Sequence, residues 1–455
     1  MVVLLPPLLS QLSLLSLLCF TFTLTSITSQ TTTNIPADYL KLQLLHTHPF
    51  PFPFPSPSQA LISSDTHRIS SLLRHHTKLP LTSAASSGSG QYLVHLLLGS
   101  PPQPLLLVAD TGSDLIWATC SACRNCSSRP PSSAFLPRHS SSFSPHHCYN
   151  SACQLVPHPE STHCNRTRLH SPCRYEYTYS DGSLTSGFFS REKATFNSTV
   201  EHHSLSFGCG FHVTGPSVTG PSFNGAQGVM GLGRGPISLS SQLGGRFGNK
   251  FSYCLMDYTL SPTPTSYLLI GGSKNATVSR RMSYTPLQTN ALSPTFYYIG
   301  IESVYVGKSK LRISPSVWAV DRLGNGGTVV DSGTTLTFLA DPAYRRILAA
   351  FKRLVKLPPP SKPTPGFDMC VNVTGVLKLN LPKLGFRLAG GSLFLPPTGN
   401  YFLDTADGVK CLALQPSTSS TGFSVIGNLM QQGFVFEFDA DGSRLGFTRH
   451  GCGLP

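Results

Sequence analysis

The stretch Leu107-Val108-Ala109-Asp110-Thr111-Gly112-Ser113 constrains this chain more than any other, because a near copy returns at Val329-Val330-Asp331-Ser332-Gly333-Thr334. In each copy aliphatic residues run into an Asp, followed by a hydroxyl residue, a Gly and a second hydroxyl residue. That pattern reads as a buried strand delivering a carboxylate into a tight turn. Gly gives the turn its backbone freedom, and the hydroxyls can hydrogen-bond the carboxylate and fix its orientation. A single copy could arise in an ordinary turn, whereas two with matching flanks imply two half-sites. Val229-Met230-Gly231 and Val425-Ile426-Gly427, each late in its half, extend the repeat as an internal duplication would.

The rest of the chain is built for strands. Only 12% of residues are charged, and 40 Gly and 38 Pro favour many short strands and turns over long helices. Residues 118–173 hold seven of the thirteen cysteines amid Ser, Pro and His, and they read as an insertion in the first half. Residues 341–356 form the clearest helix, with Asp341 as N-cap, Pro342 at the first helical position, and an apolar stripe of Tyr344, Ile347, Leu348, Phe351 and Val355. Its Arg345, Arg346, Lys352, Arg353 and Lys356 read as a solvated face rather than a membrane or nucleic-acid contact.

Residues 1–29 are Leu-rich, lack Lys and Arg, and end in small residues, which reads as a secretory signal peptide; a signal anchor is the alternative. Residues 30–89 read as a prosegment and linker, with extended Pro-Phe repeats at 49–55, a short helix within 62–79, and a flexible zone at 82–89 suited to cleavage. Cys19 leaves with the signal peptide, and the even set of twelve that remains points to disulfides in an oxidising compartment. The spacing of Cys120, Cys123 and Cys126 also suits zinc, but thiols in such a compartment pair with each other, so no metal is expected. Sequons at Asn125, Asn165, Asn197, Asn275 and Asn372 fit secretion. The net charge of +14 comes without a dense basic run, so specific nucleic-acid binding is not expected, and weak adhesion to acidic polysaccharide is its mild consequence.

The motifs Asp110-Thr111-Gly112-Ser113-Asp114, Tyr179-Ser180-Asp181-Gly182-Ser183, Asp331-Ser332-Gly333-Thr334-Thr335 and Phe423-Ser424-Val425-Ile426-Gly427-Asn428 resemble those of the pepsin-like aspartic proteases, among them the plant nepenthesin-like group. The resemblance runs from about residue 89 to 455. It implies an all-β, bilobal pepsin-like aspartic protease fold: two pseudo-twofold-related, β-barrel-like lobes around a central cleft, with few short helices. The N-terminal lobe would span 90–288 and the C-terminal lobe 289–455. Asp110 and Asp331 would be the catalytic carboxylates of a secreted endopeptidase working in acid, in the extracellular space, the cell wall or the vacuole. Thr111 and Ser332 would bond across the lobes. Ser113 and Thr334 would bond the outer carboxylate oxygens, with Gly112 and Gly333 shaping the turns. Ser332 stands where many relatives have Thr, and keeps the hydroxyl. Tyr179, Asp181, Gly182 and Ser183 would form a flap over the substrate, with Trp117 meeting the Tyr179 hydroxyl.

The resemblance also suggests the disulfides Cys120–Cys123, Cys126–Cys209, Cys148–Cys173, Cys153–Cys164, Cys254–Cys452 and Cys370–Cys411. It implies protein or peptide substrates, no cofactor and a monomer. Two carboxylates held close share one proton, so a water between them can be activated without metal or covalent intermediate. The main rival is a non-catalytic binder or inhibitor on the same scaffold, and both Asps with their hydroxyl partners argue against it. A nucleic-acid-associated plastid protease is a third reading, which the Leu-rich N-terminus disfavours.

Overall fold

The computed structural model describes residues 39–46, 90–124, 134–159, 170–179, 181–196, 202–219, 223, 225–257, 266–272, 276–417 and 423–452. The strand Gln103–Asp110 is buried on both faces towards its end, which is why it reads as a continuous apolar run. It pairs in parallel with Gly228–Gly231, placing Asp110 opposite Gly231. After its turn the chain returns along the other side of that same short strand, antiparallel, with Trp117 opposite Val229. The strand Trp117–Arg124 then runs parallel to His202–Thr214.

The second half repeats this pairing. Thr328–Val330 lies parallel to Ser424–Ile426, which meets Thr337–Leu339 antiparallel at Phe338 and Val425. Thr337–Leu339 runs parallel to Leu414–Pro416. The duplication seen in sequence is therefore a duplication of strand pairing, and the chain forms the two-lobed, all-β pepsin-like architecture. Among the described residues the longest helix is Asp341–Leu354. It starts one residue earlier than its sequence suggests: Ala340 is the cap, and Asp341, inside the first turn, pairs with Arg345 at 2.8 Å. Its buried face is Ala343, Tyr344, Ile347, Ala350 and Phe351, while Arg345, Arg346, Lys352 and Arg353 face solvent.

A shared sheet joins the halves. Lys250–Cys254 pairs with Val435–Asp439, and Ser283–Gln288 pairs with Arg444–Thr448. Phe438 stacks on Phe251 at 4.5 Å and meets the Tyr297 ring edge-on at 4.4 Å. The disulfide Cys254–Cys452 fastens the C-terminus to this sheet, and Cys370–Cys411 crosslinks neighbouring strands in the second half.

Four disulfide expectations in the first half are corrected. Cys120 bonds Cys209, in place of Cys120–Cys123 and Cys126–Cys209. The reason is register: Ala118 lies opposite Cys209 in the parallel ladder, and Cys120, two residues on, shares its face with Cα atoms 5.5 Å apart. Cys153 bonds Cys173, in place of Cys153–Cys164 and Cys148–Cys173, because the turn Ser151–Leu155 brings their Cα atoms to 5.8 Å. Cys126 and Cys164 lie outside the described residues.

Within the segment read as a prosegment, Tyr39–His46 is a strand of the body. It pairs with Ser266–Gly271 and, at Leu44–His46, with Tyr92–Val94. Leu42 and Leu44 are buried in the main core. The Pro-Phe repeats, the helix expected within 62–79 and the signal peptide lie outside the described residues. No helix among the described residues is long and apolar enough to cross a membrane.

Two predictions follow from these contacts. In the full chain, Leu44→Ala is expected to cost about 2–5 kcal/mol, as for other buried leucines; an unchanged denaturation midpoint would detach this strand from the cooperative core. Asp439 is buried against Lys250 at 2.9 Å and Arg444 at 2.8 Å. Burial pushes its carboxyl up, but Lys250, the Gly442 N–H and Arg444 outweigh it and hold it below the ordinary carboxylate value. A carboxyl depressed on folding stabilises above its unfolded pKa of about 3.9, and that gain is lost as pH falls through the folded value. Asp439→Asn should therefore cost about 1–3 kcal/mol near neutrality. In urea titrations the gap from the parent should close in strong acid.

Candidate active site

Each repeated turn holds its carboxylate in the same way. Gly112 N donates to Asp110 Oδ1 at 2.9 Å and Ser113 Oγ donates to Oδ2 at 2.5 Å. In the second half Gly333 N donates to Asp331 Oδ1 at 2.9 Å and Thr334 Oγ1 donates to Oδ2 at 2.7 Å. Both turns are seated on their parallel strands, since Leu232 N donates to Asp110 O and Asp331 N donates to Ile426 O.

Thr111 and Ser332 close the turns onto each other. Ser332 N donates to Thr111 Oγ1 at 2.9 Å, and Thr111 N donates to Ser332 Oγ at 3.1 Å. The hydroxyl protons go on to Val330 O at 3.4 Å and Ala109 O at 3.0 Å. Each hydroxyl thus accepts once and donates once, and Ser332 meets this requirement without the methyl of a Thr. Asp110, Thr111, Ser113, Asp331, Ser332 and Thr334 are each at most 2% exposed. Such bonds are expensive to lose here, because an orphaned buried polar group costs about 1–3 kcal/mol.

Sequence reasoning missed part of the support. Gln431 Nε2 donates to Asp331 O at 3.2 Å and to Ile426 O at 2.8 Å, and Tyr253 OH donates to Gln431 Oε1. Burial, with Asp331 and Tyr297 nearby, pushes the Tyr253 phenol well above its ordinary range, so it remains a neutral donor. Asn428 Nδ2 ties Ser332 O at 3.0 Å to Gly90 O at 2.9 Å. Asn428, Gln431 and Gln432 are polar residues directly after an apolar strand, and that signal could have been read. Tyr253 sits in an ordinary strand and offered none.

The hairpin of Arg174–Thr178 and Leu184–Thr195 carries the other candidate residues at its tip. Tyr179 N donates to Ser183 O, and Gly182, at φ +83°, donates back to Tyr179 O. Asp181 accepts from Ser183 N at 2.9 Å and Ser183 Oγ at 2.7 Å. It also accepts from Ser217 Oγ, a partner not foreseen from sequence. Trp117 Nε1 donates to Tyr179 OH at 2.6 Å. Trp117 is itself buried and stacked at 6.1 Å on Phe223, so the strand leaving the Asp110 turn also steadies the hairpin tip.

Cys153, His158 and Cys173 place three potential metal ligands within 4.8 Å, but the two sulfurs are bonded to each other and offer no thiolate. Of the sequons, Asn125, Asn165, Asn197 and Asn275 lie outside the described residues. Asn372 is half-buried, with Oδ1 accepting from Thr374 N at 2.8 Å.

Family models described as "Xylanase inhibitor N-terminal" and "Xylanase inhibitor C-terminal" match residues 92–272 and 296–449. The chain is 36% identical over 374 residues to aspartyl protease family protein 2 of Arabidopsis thaliana, covering 82% of this chain and 73% of that one. It is 37% identical over 369 residues to aspartic proteinase nepenthesin-1 of Nepenthes gracilis, covering 81% and 79%. Among solved structures, edgp superposes with a TM-score of 0.66 at 20% identity, over 90% of this chain and 94% of that one. Basic 7S globulin from soybean does so with 0.62 at 18%, over 91% and 98%. These two likenesses concern the fold alone.

Trp117→Phe keeps the ring stack and removes the donor to Tyr179. Amide exchange at Tyr179 and Gly182 is expected to accelerate severalfold beyond that at strands remote from the tip, while the lost bond and the cavity left by the smaller ring lower global stability by about 2–3 kcal/mol. Unchanged exchange at the tip would mean that the Trp117–Tyr179 bond does not restrain it.

Proposed function

The chain belongs to the pepsin-like (A1) aspartic proteases of plants and is an aspartic-type endopeptidase, and we propose that Asp110 and Asp331 are the paired carboxylates with which it cleaves peptide bonds in acid. The observation that carries this reading is the reciprocal bonding of Thr111 and Ser332, which draws the two Asp turns together. Carboxylates held close share one proton. The ionised one takes a proton from a water held between them, and the protonated one donates to the substrate carbonyl. Water attacks, a tetrahedral gem-diol forms, and a returned proton releases the amine. In the same reading Tyr179 and its hairpin close over a protein or peptide substrate.

The protein is proposed to be secreted, to the extracellular space, the wall or the vacuole. The Leu-rich residues 1–29 and the disulfides support this. Residues 30–89 are read as a prosegment released by acid-triggered processing around 80–90. The pairing of Tyr39–His46 adds a consequence: the cut piece stays seated in the sheet until that strand is displaced. The lobes are read as 90–288 and 289–455, the active form as a monomer, and the basic surface as weakly adhesive to acidic polysaccharide.

A second reading, an inhibitor or binder without catalysis, draws on the xylanase-inhibitor descriptions of the matching family models. One experiment separates the two. Purified protein is incubated with a denatured protein in acid, beside Asp110→Asn and Asp331→Asn variants. Each variant is expected to lose cleavage while keeping its denaturation midpoint. Substantial activity in both would remove the dyad assignment, and an inert parent that still inhibits a glycan hydrolase would favour the second reading.

A further inference from the structure

Asp114 follows the first catalytic turn directly, and the mechanism above gives it no task. Its Oδ1 accepts from Gly235 N at 2.8 Å and its Oδ2 accepts from Thr295 Oγ1 at 2.7 Å. Its own N–H donates to Tyr177 OH, in the hairpin that carries Tyr179, at 3.3 Å. Among the described residues no cation pairs with it. The bonds around it reach both halves of the molecule: Gly233 N donates to Ser113 O at 2.8 Å, and Arg234 N donates to Thr295 O at 2.9 Å.

The sequence is shaped to admit this side chain. Gly231 ends the strand Gly228–Gly231, and Gly233 and Gly235 follow in the bend after it. A Cβ at these positions would lie 2.3 Å from Asp114 C, 2.3 Å from Asp114 Oδ1 and 2.2 Å from Asp114 Oδ2. Any residue but Gly would push the carboxylate, and with it the turn, out of place. The start of the Gly231–Gly235 run already receives Asp110, whose carbonyl accepts from Leu232 N at 2.8 Å. Asp110 is thus braced from behind by the strand and from the side by Asp114.

We propose that Asp114 is a positioning residue for peptide cleavage: by fastening the Asp110 turn to the Gly231–Gly235 run and to Thr295, it holds Asp110 at a fixed place relative to Asp331. The proposal rests on the reading of Asp110 and Asp331 as the catalytic pair. Thr295 matters because it stands just ahead of Tyr297, whose carbonyl accepts from Val330 N in the strand leading to Asp331. The clamp therefore ends on a backbone that leads to the second carboxylate.

The test measures kcat and KM in acid for Asp114→Ala, Asp114→Asn, Thr295→Val and Thr295→Ser, each normalised to folded protein. Misplacing a reacting group by about 1 Å can cost about 10²-fold. Asp114→Ala is expected to lose kcat by about that factor with KM changed little, and Thr295→Val by about tenfold. Burial pushes the Asp114 carboxyl up against the pull of Thr295 and Gly235, and an amide has the same shape with a partner for each of those contacts. Asp114→Asn, which can accept from Gly235 N and donate to Thr295 Oγ1, should restore kcat to near the parent, as should Thr295→Ser. A residue that only stabilised the fold would change the melting temperature and leave kcat per folded molecule alone, and that result would overturn the proposal. Equal losses in Asp114→Ala and Asp114→Asn would overturn it as well. Should Asp114→Ala fail to fold, the Thr295 pair decides. Asp110→Asn run in parallel isolates the premise: if it stays active the dyad reading has failed, and if it is inactive while the other variants are normal only the Asp114 clamp has.

Discussion

The exchange of hydrogen bonds between Thr111 and Ser332 is the constraint on which the rest of this structure depends. Each backbone N–H points at the other half's hydroxyl, and each hydroxyl passes its proton to a carbonyl of the opposite Asp strand. Four buried polar interactions are satisfied only if the two strands meet head to head. A displacement of either half would orphan several at once, at about 1–3 kcal/mol each. Both strands end in an apolar stretch that is locked in parallel with a partner arriving late in the same half.

A two-lobed molecule whose paired Asp turns meet at the seam needs a rigid seam. The sheet formed by Lys250–Cys254, Ser266–Gly271, Ser283–Gln288, Val435–Asp439 and Arg444–Thr448 supplies it, reinforced by Phe251, Tyr297 and Phe438 and closed by Cys254–Cys452. Tyr253 belongs to this sheet and reaches Gln431, which reaches Asp331 O. The platform and the second Asp turn are thus one bonded network. By contrast, the hairpin tip with Tyr179 is tied to Trp117 by one side-chain bond and to Ser217 through Asp181 and Ser183, which accept from the Ser217 N–H, Asp181 accepting from its hydroxyl as well.

Much of this was legible in the chain itself. The two Asp turns, their hydroxyl partners, the late glycine strands and the hairpin tip all carry local signals: an apolar run, a Gly where the turn demands one, a hydroxyl at fixed offset from a carboxylate. The basic helix face was legible too, because a 3.6-residue stripe depends on nothing outside the helix. Less visible were residues whose role comes from a distant partner. Thr295, Ser217 and Tyr253 look like ordinary strand or loop residues until the fold brings Asp114, Asp181 and Gln431 to them.

The sequence by itself determined that two equivalent carboxylate turns exist and that the body is built of short strands, because strand period, turn chemistry and duplication are written in neighbouring residues. Tertiary structure alone decided which cysteines pair, that Tyr39–His46 is a strand of the body, and that Asp114 bridges the halves. The physical reason is common to all three. A disulfide, a strand register and a buried carboxylate's donors are fixed by which distant backbones lie within a few ångströms, and that proximity is a property of the packed chain rather than of any stretch of it.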